Sequence, residues 1–139
     1  MEKDIKIKII KKSDFEKIKS LYKEAGWWDI EDEKNPLLIN KIVKGSFIFV
    51  GAFYKKELIG IARAISDGIS DAYIQDVVVS KSFRNRGIGK RLVIYVLSYL
   101  KEEGINWIGL ISTPDNYKFY EKLGFQVLEG FTPMIYKGK

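Results

Sequence analysis

Histidine and cysteine are both absent from the 139 residues. Without cysteine there is no disulfide, no thiolate nucleophile and no thiolate metal site. Without histidine, the commonest general base, the commonest zinc ligand and every Ser-His-Asp arrangement go as well. Proton transfer is left to carboxylates, tyrosine, lysine, backbone groups or water, and no metal is expected. Long apolar runs are also missing, so no segment is expected to cross a bilayer. The stretch Met1-Glu2-Lys3-Asp4 leads straight into an alternating pattern with no apolar leader or cleavage site, which makes a cytoplasmic protein without a membrane partner the expectation.

What is present is apolar content of 46% and a net charge of +6. The first marks a globular chain, with length for one domain over residues 1–139. The second raises nucleic acid as a partner. However, the chain has no basic helix bearing base-reading residues and no aromatic RNA-binding signature, so a lysine-rich solvated surface is the simpler reading and no nucleic-acid partner is expected. The charge is uneven. Between Glu24 and Glu33 lie Asp29, Glu31 and Asp32 with no lysine or arginine. Lys81, Arg84, Arg86, Lys90 and Arg91 form a purely basic stretch. One basic and one acidic site suit an anionic cofactor and a cationic acceptor.

Hydrophobic periodicity predicts the element order. Ile5, Ile7 and Ile9 alternate with lysines as a half-buried strand. Ser13 and Glu16 form a capping-box pattern ahead of a helix carrying Phe15, Ile18, Leu21 and Tyr22, stopped by Gly26. Trp27 begins a loop, and Pro36 opens a short helix that ends at Gly45. Phe47–Phe53 and Leu58–Ser66 read as a hairpin around 54–57. Tyr73–Val79 is the next strand. A glycine turn and a long helix to Glu103 follow, then a strand Trp107–Ile111 and a short helix from Pro114 to Leu123. A closing strand pair is expected at Phe125–Leu128 and Met134–Tyr136. This is a mixed α/β sheet with helices on its faces, and Tyr73–Ile111 is expected to be a right-handed parallel crossover.

Arg84-Asn85-Arg86-Gly87-Ile88-Gly89 stands between strand and helix. The first turn of a helix offers unpaired N–H groups and a positive dipole end, and glycine lets a phosphate approach them. A dinucleotide fingerprint would need glycine at position 92, which is leucine, and a P-loop would need Ser or Thr after Gly89-Lys90, where Arg91 stands. The remaining pattern, Arg-x-x-Gly-x-Gly, resembles the pyrophosphate motif of the GCN5-related N-acetyltransferase (GNAT) superfamily. The resemblance runs from Asp76 through Leu92. Phe119-Tyr120-Glu121-Lys122-Leu123-Gly124-Phe125 is similar to the superfamily's second signature, and the element order fits over essentially the whole chain.

That resemblance implies a mostly antiparallel central sheet with helices on both faces and two splayed parallel strands, the GNAT-like acyl-CoA N-acyltransferase fold. It implies acetyl-CoA as acetyl donor and direct attack by a primary amine in a ternary complex. The diphosphate would lie on Arg84, Asn85, Arg86, Gly87, Ile88, Gly89 and Lys90. The pantetheine arm would run along Val77, Val78 and Val79. Tyr120 takes the place of the general acid. Many members have an asparagine where this chain has Thr113; the asparagine here is Asn116, and the resemblance implies it on the cofactor side. Asp76 is the most suggestive carboxylate for a base, but salt-bridge duty is equally open for it, and a water relay or a desolvated neutral amine needs no base. Trp27, Trp28, Asp29 and Tyr73 fall on the acceptor side, as does the loop Phe131–Met134. A homodimer is common among members. A non-catalytic acyl-CoA-binding regulatory module is the competing expectation.

Overall fold

The structure, a computed structural model, describes residues 4–12 and 15–138. Strands β1 (Ile5–Ile9), β2 (Ile48–Tyr54), β3 (Glu57–Ser66), β4 (Asp71–Val79) and β5 (Trp107–Gly109) lie side by side in chain order. The first three pairings are antiparallel, and β4 pairs with β5 in parallel. Helices are α1 (Phe15–Glu24), α2 (Ile30–Glu33), α3 (Leu38–Gly45), α4 (Ile88–Glu102) and α5 (Tyr117–Glu121), with a 3₁₀ turn at Lys81–Phe83. The chain divides into two compact units, one ending at Gly109 and the other beginning at Leu110.

In the first unit the sheet has helices on both faces. On one, Ile18, Leu21 and Tyr22 of α1 and Ile39 and Val43 of α3 pack with Phe49, Leu58, Ile61 and Val78. The i, i+3, i+4 spacing puts the three α1 side chains on a single stripe. The other face receives α4 through Leu92, Val93, Val96 and Leu100, all fully buried. Here the strands present small residues, among them Ala52, Gly60, Ala62 and Ala64. A Cβ on Gly60 would stand 3.1 Å from Leu92 Cδ1 and 3.2 Å from the Val78 carbonyl, so glycine there admits the helix to close range. The hairpin between β2 and β3 turns on Lys55 and Lys56, both left-handed at φ 49° and 72°, the geometry a two-residue hairpin requires even without Asn-Gly.

Several boundaries differ from expectation. The loop after α1 contains α2, capped by Asp29. α3 begins at Leu38, beyond Pro36. β5 stops at Gly109 rather than Ile111, and α5 is confined to Tyr117–Glu121. The expected closing strand pair is not formed: 125–128 and 131–138 hold no strand. Val127, Leu128, Phe131, Met134, Ile135 and Tyr136 are all more than half exposed. A two-stranded hairpin without a packed face is marginal in water, and nothing in this stretch supplies one. The N-cap expected at Ser13 lies outside the described residues.

Leu100 fills the α4 side of the core from the helix end far from the glycine turn. Leu100→Ala is expected to lower unfolding stability by about 2–5 kcal/mol, the cost of a buried leucine cavity. Urea denaturation of the two proteins measures it.

Candidate functional site

The turn between β4 and α4 departs from what a helix start ordinarily carries. Gly87, the N-cap, has φ 77° and no side-chain cap bond. A Cβ there would meet nothing within 4 Å, so the glycine serves backbone shape and open space rather than tight packing. Asn85 is also left-handed, at φ 63°. Alternating hands of backbone aim successive N–H groups into one concavity, a form that holds anions. Arg91 N donates to the Gly87 carbonyl at 3.1 Å. The amides of Ile88, Gly89 and Lys90 precede that first bond and have no partner within the helix.

Charge points the same way. The first turn of α4 has no acidic residue and instead holds Lys90 and Arg91. Cations at a helix N-terminus oppose its dipole, a conflict that a bound anion relieves. The basic side chains are not equivalent. Arg84 Nε donates to the Val79 carbonyl at 2.9 Å, folding back on the strand. Arg91 Nη2 donates to the Ile5 carbonyl at 2.9 Å, tying α4 to β1. The Arg86 guanidinium lies 5.7 Å from the Phe83 ring centre. The loop is also fixed from the other side, where Lys81 N donates to Glu24 Oε1 at 2.9 Å.

The β4–β5 ladder covers only Asp71–Tyr73 against Trp107–Gly109. β4 continues to Val79, so Val77–Val79 run past the last paired residue toward the turn. On the other edge, Val78 and Val79 pair with Ile61 and Gly60. Asp76 does not stand as an isolated carboxylate. Its Oδ2 accepts from Arg63 Nε at 2.6 Å and from the Tyr22 hydroxyl at 2.7 Å. Burial first, and then the charge and hydrogen bond of Asp76, push the Tyr22 phenol far above the ordinary tyrosine range, against a smaller opposing effect of Arg63.

The acidic segment resolves into local structure. Asp29 Oδ1 accepts from Asp32 N, and Asp32 Oδ2 accepts from Asp29 N, a reciprocal capping box. Glu33 accepts from Trp28 Nε1 at 2.6 Å and from Lys19 Nζ at 3.2 Å, and these bonds, Trp28's foremost, hold its carboxyl below the usual range. Glu31 pairs with Lys34. Trp27 and Trp28 follow the α1 stop, where Gly26, at φ 80°, donates to Lys23 O and Trp27 N donates to Tyr22 O, a Schellman ending. Both indoles meet the Tyr22 ring edge-on, at 5.6 and 6.4 Å. Trp27 is 43% exposed. Tyr73, 46% exposed, stacks obliquely on Trp107 at 5.2 Å.

In the second unit, α5 carries Tyr120 between Phe119 and Phe125, with ring centres 5.0 and 5.9 Å away. Burial raises the Tyr120 phenol above its ordinary range. Asn116 precedes the helix. Its carbonyl accepts from Phe119 N and Tyr120 N, and its side chain caps nothing. Phe125 N returns to the Tyr120 carbonyl at 3.1 Å.

Sequence reasoning passed over Arg63, Ser46 and Tyr22 as a polar group, and it placed Glu24 in the acidic segment rather than against the Lys81 amide. Arg63 had a signal: it is the one charge within the apolar run Leu58–Ile65, and a charge on a strand's covered face needs a partner. Among the described residues no group of His, Cys, Asp and Glu is arranged to hold a metal, and no helix is long and apolar enough to cross a membrane.

Comparison with known proteins follows the same lines. The family described as Acetyltransferase (GNAT) family matches residues 12–125. The protein named Uncharacterized N-acetyltransferase ycf52 from Gracilaria tenuistipitata var. liui is 38% identical over 113 residues, which are 78% of this chain and 59% of that protein. This chain thus spans under two thirds of that relative's length. A GNAT-family acetyltransferase structure from Streptococcus pneumoniae TIGR4 is 28% identical with a TM-score of 0.80, covering 95% of this chain and 96% of that one. Aminoglycoside N-acetyltransferase AAC(6')-Iy, solved in complex with CoA, shares the fold at 21% identity and a TM-score of 0.77, over 96% and 95% of the two chains.

Because the folded state raises the Tyr22 pKa, it binds that proton more tightly than the unfolded chain does. The resulting stability is fully present below about pH 10, the unfolded tyrosine value, and is lost as pH climbs toward the folded one. In an alkaline titration followed by phenolate absorbance, Tyr22→Phe is expected to remove one of the phenols that ionise only on unfolding.

Proposed function

This chain belongs to the GNAT acetyltransferase family, and from that membership we propose that it transfers the acetyl group of acetyl-CoA to a primary amine by direct attack in a ternary complex. The observation that carries the donor is the α4 N-terminus. Left-handed Gly87, first-turn amides without an intrahelical partner and a first turn that holds Lys90 and Arg91 but no acid together suit a diphosphate. The stretch Val77–Val79, which lies beyond the β5 pairing on that edge, offers backbone groups for the pantetheine arm. The CoA complex of the aminoglycoside enzyme supports that donor by likeness of fold.

The chemistry asks little of side chains. A thioester is already activated, so the protein has to align a neutral amine and stabilise the tetrahedral oxyanion. The amine nitrogen attacks the carbonyl carbon, the C–S bond breaks, and the departing thiolate takes a proton. Tyr120, which stands at the general-acid position by resemblance to the family, is the candidate for that donation, a phenol being protonated at neutral pH. The proton released by the amine passes to water, and no dedicated base is assigned. The acceptor is a primary amine of a small molecule or a protein. Trp27 and Tyr73, both partly exposed, form the acceptor-side candidates together with Trp28. The Asp29 carboxylate is engaged in its capping box.

Release of free CoA from acetyl-CoA across a panel of amines tests the reading. Turnover requiring both enzyme and amine is expected. Stabilisation of the fold by acetyl-CoA with no turnover on any amine would instead mark a binding module. Tyr120→Phe is expected to lower kcat by about 10²-fold, the low end of general-acid effects, with acetyl-CoA affinity kept. Full activity in that variant would remove the acid role. Gly87→Val forces a β-branched residue into left-handed backbone at a cost of roughly 1–2 kcal/mol and fills the open space, so CoA affinity measured by calorimetry should fall at least about tenfold.

A further inference from the structure

β4 changes phase in its middle. Gln75 stands opposite Arg63, but Val78 stands opposite Ile61, so Asp76 and Val77 together face the single residue Ala62. This is a β-bulge, and Asp76 occupies its left-handed position at φ 57°. Strand side chains alternate between faces, so one inserted residue inverts the face of everything after it. With the insertion, Val78 enters the core beneath α1, and Val79 Cγ2 lies 3.4 Å from where Gly60 would carry a Cβ, on the α4 side. Without it the two valines would exchange faces, and the chain would leave the sheet toward the Arg84–Gly89 turn in the opposite phase.

Aspartate tolerates left-handed backbone better than most residues, but glycine is the natural occupant. Here the conformation is held from outside. Arg63 Nε and the Tyr22 hydroxyl converge on one oxygen of Asp76, at 2.6 and 2.7 Å. Arg63 is held in turn: its Nη1 donates to Ser46 Oγ at 3.3 Å and its Nη2 to Gln75 Oε1 at 3.3 Å. The Ser46 hydroxyl donates onward to the Ile42 carbonyl at 2.6 Å. The two charged side chains are only 14% and 21% exposed, so this pair is shielded from solvent far more than an ordinary surface bridge. Four segments, the end of α1, the end of α3, β3 and β4, thus meet at the bulge.

We propose that Arg63 and Tyr22 are positioning residues that act through Asp76 to hold the β4 bulge, and with it the phase in which Val77–Val79 and the following turn meet acetyl-CoA. Asp76 is then a backbone anchor, not a proton acceptor. The ligand in this statement rests on the function proposed above; the bracing of the bulge does not.

The test compares wild type with Arg63→Met, Tyr22→Phe, Asp76→Asn, Asp76→Ala and Asp76→Gly. Three quantities are read: the Kd for coenzyme A, kcat and KM for acetyl-CoA, and the amide chemical shifts of residues 77–79. Arg63→Met is expected to weaken coenzyme A about tenfold, the scale of one lost charged hydrogen bond, and to move those amides. Asp76→Ala should do the same. Asp76→Asn should stay within roughly threefold of wild type, since its amide oxygen still accepts both donors and asparagine suits the left-handed backbone. Asp76→Gly should recover much of what alanine loses, because glycine holds the bulge unaided. Asp76→Asn with kcat down about 10²-fold or more and coenzyme A affinity unchanged would make Asp76 a base and overturn the proposal. Arg63→Met with unmoved amides and unchanged affinity would overturn it equally. If Arg63→Met fails to fold, Tyr22→Phe and the alanine–glycine comparison decide. Wild type that binds no coenzyme A would defeat the proposed function alone, and the amide shifts would still judge the brace.

Discussion

The alternation of side chains along β4 is the constraint from which the first unit is built. That strand serves two cores at once, one under α1 and α3 and one under α4, and its period of two leaves no freedom between them. A single extra residue at Asp76 lets the first part of the strand pair with Arg63, Ala64 and Ile65 while the last part still delivers Val78 to one core and Val79 to the other. On the α4 side Leu92 packs over Gly60 with Val79 beside it. The shielded Arg63–Asp76 pair is therefore a poor candidate for net stabilisation in itself, since withdrawing two charges from water costs much of what their attraction returns. On the proposal above, its value lies in specifying the register of β4.

Two concentrations of charge stand out in the chain, and they resolve in opposite ways. In the acidic segment each local rule is obeyed: acids occupy the first turn of α2, Asp29 caps it, and Glu31 and Glu33 have cationic partners. Nothing there is left for a ligand to explain. In the basic turn a local rule is broken, with cations at the wrong end of α4 beside the left-handed residues Asn85 and Gly87. Departures of this kind gather at functional sites.

Elements with strong periodicity or an unambiguous stop were legible in the sequence. α1, α4 and the β2–β3 hairpin lie within a few residues of expectation, and Gly26, Gly104 and Gly124 follow the helices they were expected to end. The glycine turn was legible because its residue types admit few other uses. The brace on β4 was not, because its members come from positions 22, 46, 63, 75 and 76 and share no spacing; only the fold brings them together. Asp76 could be named as a carboxylate near the reacting strand, but its partners, which decide what it does, could not. The apolar residues between Val127 and Tyr136 led to strands that are absent, since alternation describes what a strand would bury and not whether a partner edge receives it.

A chain without histidine or cysteine cannot place an imidazole base or a thiolate at its centre, so catalysis by such a chain leans on alignment. Alignment is worth several orders of magnitude when reacting groups are held within a narrow range of distance and angle, and it is lost with displacements of about 1 Å. Backbone amides are well suited to that task because they move only if the strand or helix moves. They also cannot be adjusted one at a time, as side chains can. The burden of precision therefore passes from the groups that would touch a substrate to those that fix the path of the strand, and in this protein that path is set at the bulge, by a guanidinium and a phenol on elements that contribute no amide to the turn.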